Sequence, residues 1–168
     1  SQHIGDLETK EAYTAFVDVV SSMGNLFDVQ PEIAVADMHP DYLSTQFAKR
    51  YDSNVVQIQH HFAHVASCMA ENELDGQVLG VSWDGTGYGL DGTIWGGEFL
   101  LTDASSFKRV ATIREFSLPG GAQAVKEPRR TALGLLYEIF GDALFDLKEL
   151  APVAAFSDSE RSILRHML

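Results

Sequence analysis

The sequence contains few cysteines, few basic residues and no long apolar run. Its 168 residues include a single cysteine, Cys68, which excludes an internal disulfide framework and is typical of a reducing cytoplasm. No segment approaches the roughly 18 consecutive apolar residues that a membrane span needs. The opening residues SQHIGDLETK do not combine a basic region with an apolar core, so they do not resemble a signal peptide. We therefore expect a cytoplasmic protein without a membrane partner.

Acidic residues outnumber basic residues two to one. Twelve Lys and Arg against twenty-four Asp and Glu give a formal net charge of −12 at pH 7. This balance repels nucleic-acid phosphates unless a local basic patch overrides it. The basic clusters at 126–130 and 161–166 have no interleaved aromatic residues, so nucleic acid is a disfavoured partner. The first residue is not Met, and we expect the chain to be a fragment of a longer protein.

Helical and strand patterns alternate along the first half of the chain. Apolar residues at helical spacing are separated by short apolar or β-branched runs, which are typical of strands. Helical connections of this length join parallel strands, so the pattern predicts an α/β fold with three parallel strands. The predicted helices cover 7–27, 41–51 and 60–74, and the predicted strands cover 32–37, 54–59 and 77–84.

The second half of the chain has a different character. The run DGTGYGLDGTIWGGEF has six glycines in sixteen residues and precedes an alternating segment that predicts a hairpin. Two helices are predicted at 128–141 and 157–168, with Pro128 in a first helical turn and Gly141 after a last one. Residues 117–128 fit a linker and a loop within one domain equally well.

Polar residues lie at the ends of the three predicted strands. They are Asp37 to His39, His60 and Asp84. In open α/β sheets, ligands bind beyond the carboxyl ends of the strands. The coincidence of polar residues at these ends predicts a functional site.

Three histidines fall within five positions. If a helix begins at His60, then His60 and His64 lie on one face, one turn apart, at the spacing used to bind transition metals. His61 and His64 would serve almost as well, so spacing alone does not choose the pair. Asp84 would add a carboxylate suited to iron or zinc. In the alternative interpretation, the histidines cap the helix or form hydrogen bonds in a crowded corner, and Asp84 belongs to a turn.

The glycine-rich run that follows Asp84 is a candidate phosphate-binding segment. Glycine permits positive φ angles, which can bring backbone N–H groups close to a phosphate. The run matches neither the Walker pattern nor the dinucleotide fingerprint. A long hairpin turn explains it as well, and a β-bulge would explain the two glycines of WGGEF. The candidate ligand-binding residues are Gly85, Thr86, Gly87 and Gly89.

Five segments occur in an order that is known from one protein family. They are SQHIGDLE, DMHPDYLST, QHHFAHVASCMAEN, GVSWDGTGYGLDGTIWGGEFLL and LPGG, and they span most of residues 1–135. Together they resemble the HypF family of hydrogenase maturation carbamoyltransferases. The resemblance implies a partial actin-like ATPase fold of the ASKHA class, with a parallel or mixed sheet and helices packed on it. Residues 1–168 would then be a fragment of a single carbamoyltransferase domain.

The resemblance also implies an activity. Family members make carbamoyl-adenylate from carbamoyl phosphate and ATP, and pass the carbamoyl group to the C-terminal cysteine of a HypE-type acceptor protein. The implied divalent metal, iron or zinc, would be bound by His60, His64 and Asp84. Asp84 would also be catalytic, together with His61, which shapes the site.

Several alternatives stay open within this resemblance. The acceptor could be an antibiotic hydroxyl, as in O-carbamoyltransferases, or a tRNA, as in threonylcarbamoyl transferases, although the charge of −12 argues mildly against tRNA. The chain could also be a non-catalytic, metal-binding fragment. We expect the isolated chain to be inactive, and a homodimer is compatible with the sequence.

Overall fold

The first half of the chain has the predicted alternation of helices and strands. The computed structural model describes residues 4–51 and 54–168, so the first three residues of the segment SQHIGDLE lie outside the described residues. The helix predicted at 7–27 begins later, because the Thr9 side chain accepts a hydrogen bond from the Ala12 amide and caps it. The elements are α1 (Lys10–Phe27), β1 (Ala34–Asp37), α2 (Leu43–Tyr51), β2 (Val55–Ile58) and α3 (His60–Glu71).

The first two strands form the predicted parallel pair. Ala34 lies opposite Val55, and Asp37 lies opposite Ile58, so both strands end at the same edge. Helix α3 begins almost at once after β2, because the Gln59 side chain accepts a hydrogen bond from the Phe62 amide and caps the helix. Asp37 and the start of α3 are therefore neighbours at the carboxyl edge of the pair.

The prediction of a third parallel strand that ends at Asp84 is wrong. Strand β3 (Val78–Tyr88) continues past Asp84 and belongs to a separate antiparallel sheet, in the order β3-β4-β5, with β4 (Ile94–Thr102) and β5 (Phe107–Thr112). Much of the glycine-rich run is thus strand. The turn of the hairpin is short and is closed by the Gly89 amide, which donates to the Thr93 carbonyl over 2.9 Å.

Helix α3, which follows the parallel pair, packs against β3 and β4 of the antiparallel sheet. Gly80 allows the close approach, since a Cβ atom there would lie 2.4 Å from a methyl group of Val65. Burying an apolar side chain such as that of Val65 stabilises the fold by roughly 1.5–3 kcal/mol. The buried apolar side chains of this core are Phe62, Val65, Met69, Trp95 and Leu100.

The remaining residues form a helical unit, which divides from the first unit after Thr112. Its predicted helices are present, and both end signals are confirmed: Pro128 is in the first turn of α5, and Gly141 follows its last residue with φ 55°. Residues 117–128 lie within this unit and include a short helix. The elements are α4 (Ala122–Lys126), α5 (Pro128–Phe140), a 3₁₀ helix (Gly141–Asp146), α6 (Ala151–Ala154) and α7 (Asp158–Arg165).

A second apolar core holds this helical unit together. Leu133 and Leu144 are fully buried in it, beside aromatic side chains.

The expected α/β class is confirmed, because the first unit contains helices together with one parallel and one antiparallel sheet. Within residues 4–51 and 54–168, no helix combines the length and the apolar character needed to cross a membrane.

Candidate metal centre

The start of helix α3 places two imidazoles side by side. Since the helix begins at His60, residue 64 lies one turn further along the same face. The Nε2 atoms of His60 and His64 are 3.1 Å apart. The predicted four-residue spacing therefore produces a pair of nitrogens that point at a common position.

A bulge in β3 brings a carboxylate to this pair. Trp83 pairs with Gly97 and Gly87 pairs with Trp95, so three residues of β3, at 84–86, face the single residue Gly96. Bulges of this kind re-aim side chains and are frequent next to functional sites. Here Asp84 Oδ2 lies 3.0 Å from His60 Nε2 and 3.4 Å from His64 Nε2. Asp84 thus reaches the histidines from the middle of a strand.

Gly96 and Glu98 support the bulge from β4. A Cβ atom at Gly96 would lie 3.2 Å from the Asp84 carbonyl oxygen and 3.3 Å from that of Gly85, so a larger residue would push the bulge away. The buried Glu98 side chain accepts a hydrogen bond from the Gly96 amide over 3.1 Å. Its other carboxylate oxygen accepts one from Arg109 Nε at 2.5 Å. The sequence predicted neither residue as part of the site, and only the glycine pair of WGGEF indicated a bulge.

Asp37 orients His60 from the neighbouring strand. Its Oδ2 lies 2.7 Å from His60 Nδ1, and its Oδ1 accepts a hydrogen bond from the His39 amide. A carboxylate at Nδ1 holds the proton on that nitrogen and leaves Nε2 free as a metal ligand. The sequence predicts Asp37 at the strand end but does not predict this contact.

The three side chains fit a small transition-metal ion. Their donor atoms all lie within 4.8 Å of one another. Two ligands of a tetrahedral zinc ion at its usual bond length are about 3.3 Å apart, and the three separations here are 3.1, 3.0 and 3.4 Å. The side chain of His64 is 59% exposed, so the centre is open to solvent on that side.

The ionisation of Asp84 suits a ligand role. Burial raises the pKa of its carboxyl group, but the hydrogen bond from the Gly85 amide and the nearby histidines outweigh burial. The pKa therefore lies below its ordinary value, and the group is a carboxylate at neutral pH. A metal ligand must be deprotonated, so this shift favours metal binding.

His61 lies beside the centre without joining the cluster. Its ring is fully buried, and its Nε2 is 3.9 Å from Asp84 Oδ2. Burial is the main reason that the pKa of His61 lies below its ordinary value, and Asp84 opposes that shift. The structure therefore chooses between the two pairs that spacing left open, and brings His60 and His64 together.

The four candidate phosphate-binding residues do not form a loop of positive φ angles. Gly85, Thr86 and Gly87 are strand residues, and none of the three glycines of this set has positive φ. Two of the glycines are explained by packing. A Cβ atom at Gly87 would lie 2.5 Å from the His61 ring, and one at Gly89 would lie 2.2 Å from Trp95 Nε1. At Gly85 a Cβ atom would meet nothing within 4 Å among the described residues, so this position is open.

Two family models and a curated relative match most of this chain. Residues 1–71 match a family model described as the HypF Kae1-like domain, and residues 80–168 match the second subdomain of the carbamoyltransferase Kae1-like domain. The carbamoyltransferase HypF of Synechocystis sp. is 47% identical over 143 residues, which are 84% of this chain and 19% of the relative.

Solved structures show the same similarity. A full-length HypF crystallised in a phosphate- and nucleotide-bound form superposes with a TM-score of 0.87 and 43% identity, over 99% of this chain and 22% of that protein. HypF of T. kodakarensis gives 0.86 and 32%, over 99% and 23%. The chain thus spans about a fifth of the relatives, and the expected partial actin-like fold is confirmed. On these grounds, the chain belongs to the HypF family of carbamoyltransferases.

Proposed function

We propose that the chain is the metal-binding part of a HypF-type carbamoyltransferase. The intact protein would transfer the carbamoyl group of carbamoyl-adenylate to the C-terminal cysteine of a HypE-type acceptor, during maturation of nickel–iron hydrogenase. The observation that supports this most is the convergence of two histidines and a carboxylate in a chain of the HypF family. The remaining four-fifths of the relatives' length would supply the other steps.

In this proposal His60, His64 and Asp84 hold a divalent iron or zinc ion. The ion would supply electrostatic stabilisation of charge that develops on the carbamoyl group. Asp37 keeps the His60 ring in the orientation that directs Nε2 at the centre, over a distance of 2.7 Å. The bulge holds Asp84 in place, and the exposed side of the centre, next to His64, admits the substrate.

The nucleotide would approach the centre at Gly85. This residue follows Asp84 directly, and its missing side chain leaves open space that no described residue fills. Thr86 lies next to it in the bulge and offers a hydroxyl group. Gly87 and Gly89 then contribute by allowing close packing, as their contacts with His61 and Trp95 indicate. The nucleotide-bound HypF structure supports a nucleotide in the intact protein.

Charge supports a protein or small-molecule acceptor over tRNA. The net charge of −12 would repel an RNA backbone. We also propose that the isolated chain binds metal without catalysing transfer, because a segment of about a fifth of the relatives' length lacks most of the enzyme. This is the form in which the metal centre can be tested alone.

The activity is tested in the full-length protein with Asp84→Ala and His60→Ala. Each variant is expected to lose carbamoyl transfer to the acceptor cysteine, since losing a metal ligand removes several kcal/mol of transition-state stabilisation. Formation of carbamoyl-adenylate is expected to continue, because we assign it to another part of the protein. Two assays follow these steps separately: carbamoyl phosphate-dependent ATP cleavage and carbamoylation of the acceptor. The control is His166→Ala, which removes an exposed histidine of the helical unit.

The metal is tested in the 168-residue chain. Purified wild-type protein is expected to contain iron or zinc, and His64→Ala is expected to lose most of it, whereas His166→Ala keeps it. Equal metal content in the wild type and His64→Ala would refute the ligand assignment. If both full-length activities fell together while the fold stayed intact, the separation of the two steps would be wrong.

A further inference from the structure

His61 is a fully buried imidazole with an unused polar atom. Its side chain is 0% exposed, and its Nε2 has no hydrogen-bond partner within residues 4–51 and 54–168. Most buried polar atoms in native proteins have a partner, because an unsatisfied one costs free energy. The unpaired Nε2 atom therefore indicates that a group other than the described residues forms a hydrogen bond with it.

The hydrogen bonds around Gln59 determine which nitrogen of His61 carries the proton. Gln59 Oε1 accepts the Phe62 amide at 2.8 Å, so its Nε2 group must face the opposite way. That group donates to the Tyr88 carbonyl at 3.2 Å and lies 3.3 Å from His61 Nδ1. An amide NH₂ group can only donate, so Nδ1 must accept. The neutral ring then carries its proton on Nε2.

The protonated Nε2 faces the metal centre. It lies 3.9 Å from Asp84 Oδ2, which is the oxygen closest to His60 and His64. This distance is too long for a hydrogen bond. Because its lone pair is used for the N–H bond, this nitrogen cannot bind a metal in this tautomer. The capped helix thus places two ligand nitrogens and one N–H donor around one point.

Packing holds the donor in place. The His61 ring lies against Gly87, where a Cβ atom would be only 2.5 Å from its Cε1. On another side the ring stacks with Trp95, at 6.4 Å between ring centroids and 19° between planes. These contacts restrict the ring, and the Gln59 side chain lies at Nδ1, so Nε2 is directed towards the metal centre.

We propose that His61 Nε2–H binds an oxygen of the small ligand at the metal centre, and that this ligand is a planar carbonyl or carboxylate compound. The inference rests on the proposed function, which places a carbamoyl group here. An N–H donor complements a carbonyl oxygen and repels an NH₂ group, so His61 orients the carbamoyl group with its oxygen inward. His61 is then a substrate-binding residue, distinct from the metal ligands.

The test uses the 168-residue chain loaded with Co²⁺ and titrated with bicarbonate, which has a hydroxyl group where carbamate has an amino group. Binding is followed by the visible absorption of Co²⁺. His61→Phe fills a similar space without a hydrogen-bond donor. It is expected to bind bicarbonate about five- to tenfold more weakly, which corresponds to the net free energy of one hydrogen bond. His61→Gln restores an N–H donor and is expected to recover most of the affinity. The Co²⁺ affinity should stay unchanged in both variants.

A second measurement is independent of any variant's folding. In the Zn²⁺-loaded wild type, ¹⁵N NMR of the histidine rings is expected to show His61 protonated at Nε2 and unprotonated at Nδ1. The opposite tautomer would overturn the inference, as would equal bicarbonate affinity in the wild type and His61→Phe, or no bicarbonate binding to the Co²⁺-loaded wild type. Failure of the wild type to bind Co²⁺ or Zn²⁺ would instead refute the proposed metal centre.

Discussion

Gly96 in β4 leaves room for the bulge that carries Asp84, so Gly96→Ala is expected to weaken metal binding. The new methyl group would lie 3.2 Å from the Asp84 carbonyl oxygen and 3.3 Å from the Gly85 carbonyl oxygen. Ordinary van der Waals contacts begin at about 3.4 Å. The neighbours are backbone atoms of the bulge, so they must move by a few tenths of an ångström, and the Asp84 side chain moves with them.

The size of this shift determines the expected loss of metal affinity. Functional metal sites keep their ligands within about 0.2 Å of the preferred distances. A displacement of a few tenths of an ångström at one of three ligands is therefore comparable with the loss of an outer-shell partner, which costs 10- to 100-fold. We expect the lower end, about tenfold, because His60 and His64 stay in place. This is about 1.4 kcal/mol of binding free energy.

The measurement is the dissociation constant of Zn²⁺ or Co²⁺ for Gly96→Ala and for the wild type, by competition with a chelator. Thr102→Val is the matched control. Thr102 is buried on the same strand, and its hydroxyl group donates to the Ser106 carbonyl at 2.8 Å. It lies six residues from Gly96, about 20 Å along the strand. This control should lower the free energy of unfolding by about 1 kcal/mol without weakening metal binding.

Two results would refute the reasoning. If Gly96→Ala bound metal as tightly as the wild type, the bulge would not depend on the absence of a side chain at this position. If Thr102→Val weakened metal binding as much as Gly96→Ala, the effect would come from general destabilisation of β4.

Two further predictions concern the helical unit. The hydrogen bonds from Gln123 and Arg129 lower the pKa of Glu127 to about 2, so the folded state favours its ionised form. Its stabilising contribution is complete above pH 4.5 and is lost as the pH falls towards 2. Glu127→Gln should therefore lower the urea midpoint at pH 7, and the difference from the wild type should shrink at pH 3; a constant difference would contradict this. Leu133→Ala, in the fully buried core, should cost about 3 kcal/mol, whereas Leu135→Ala, 49% exposed, should cost under about 0.5 kcal/mol in the same urea titration. Equal costs would contradict the assignment of the core.

Local sequence signals determined where several of the helices begin and end. The helix predicted at 60–74 begins at His60, and the spacing of His60 and His64 then places them on one face. Pro128 and Gly141 likewise mark the ends of α5. These features depend on contacts within a few residues, so they can be predicted from the sequence alone.

Long-range pairing decided how the carboxylates reach the histidines. Asp84 was expected at the end of a parallel strand, but it lies in a bulge of an antiparallel sheet, and its neighbours Gly96 and Glu98 were not predicted. The contact of Asp37 with His60 also depends on the register of the parallel pair. Strand partners and register are set by side chains far apart in sequence, and glycine-rich segments carry little information about either.

The different roles of His60 and His61 also depend on both local sequence and long-range contacts. Both are compatible with a metal-binding spacing, and the helix presents both near its first turn. The tertiary structure separates them, because Asp37 lies beside the Nδ1 atom of His60 and Gln59 beside that of His61. A carboxylate leaves Nε2 as a ligand, whereas an amide NH₂ group turns it into a donor. The sequence determined that three histidines lie near the start of one helix. Two long-range contacts of the fold, Asp37 with His60 and the Tyr88 carbonyl with Gln59, decided what each histidine can do.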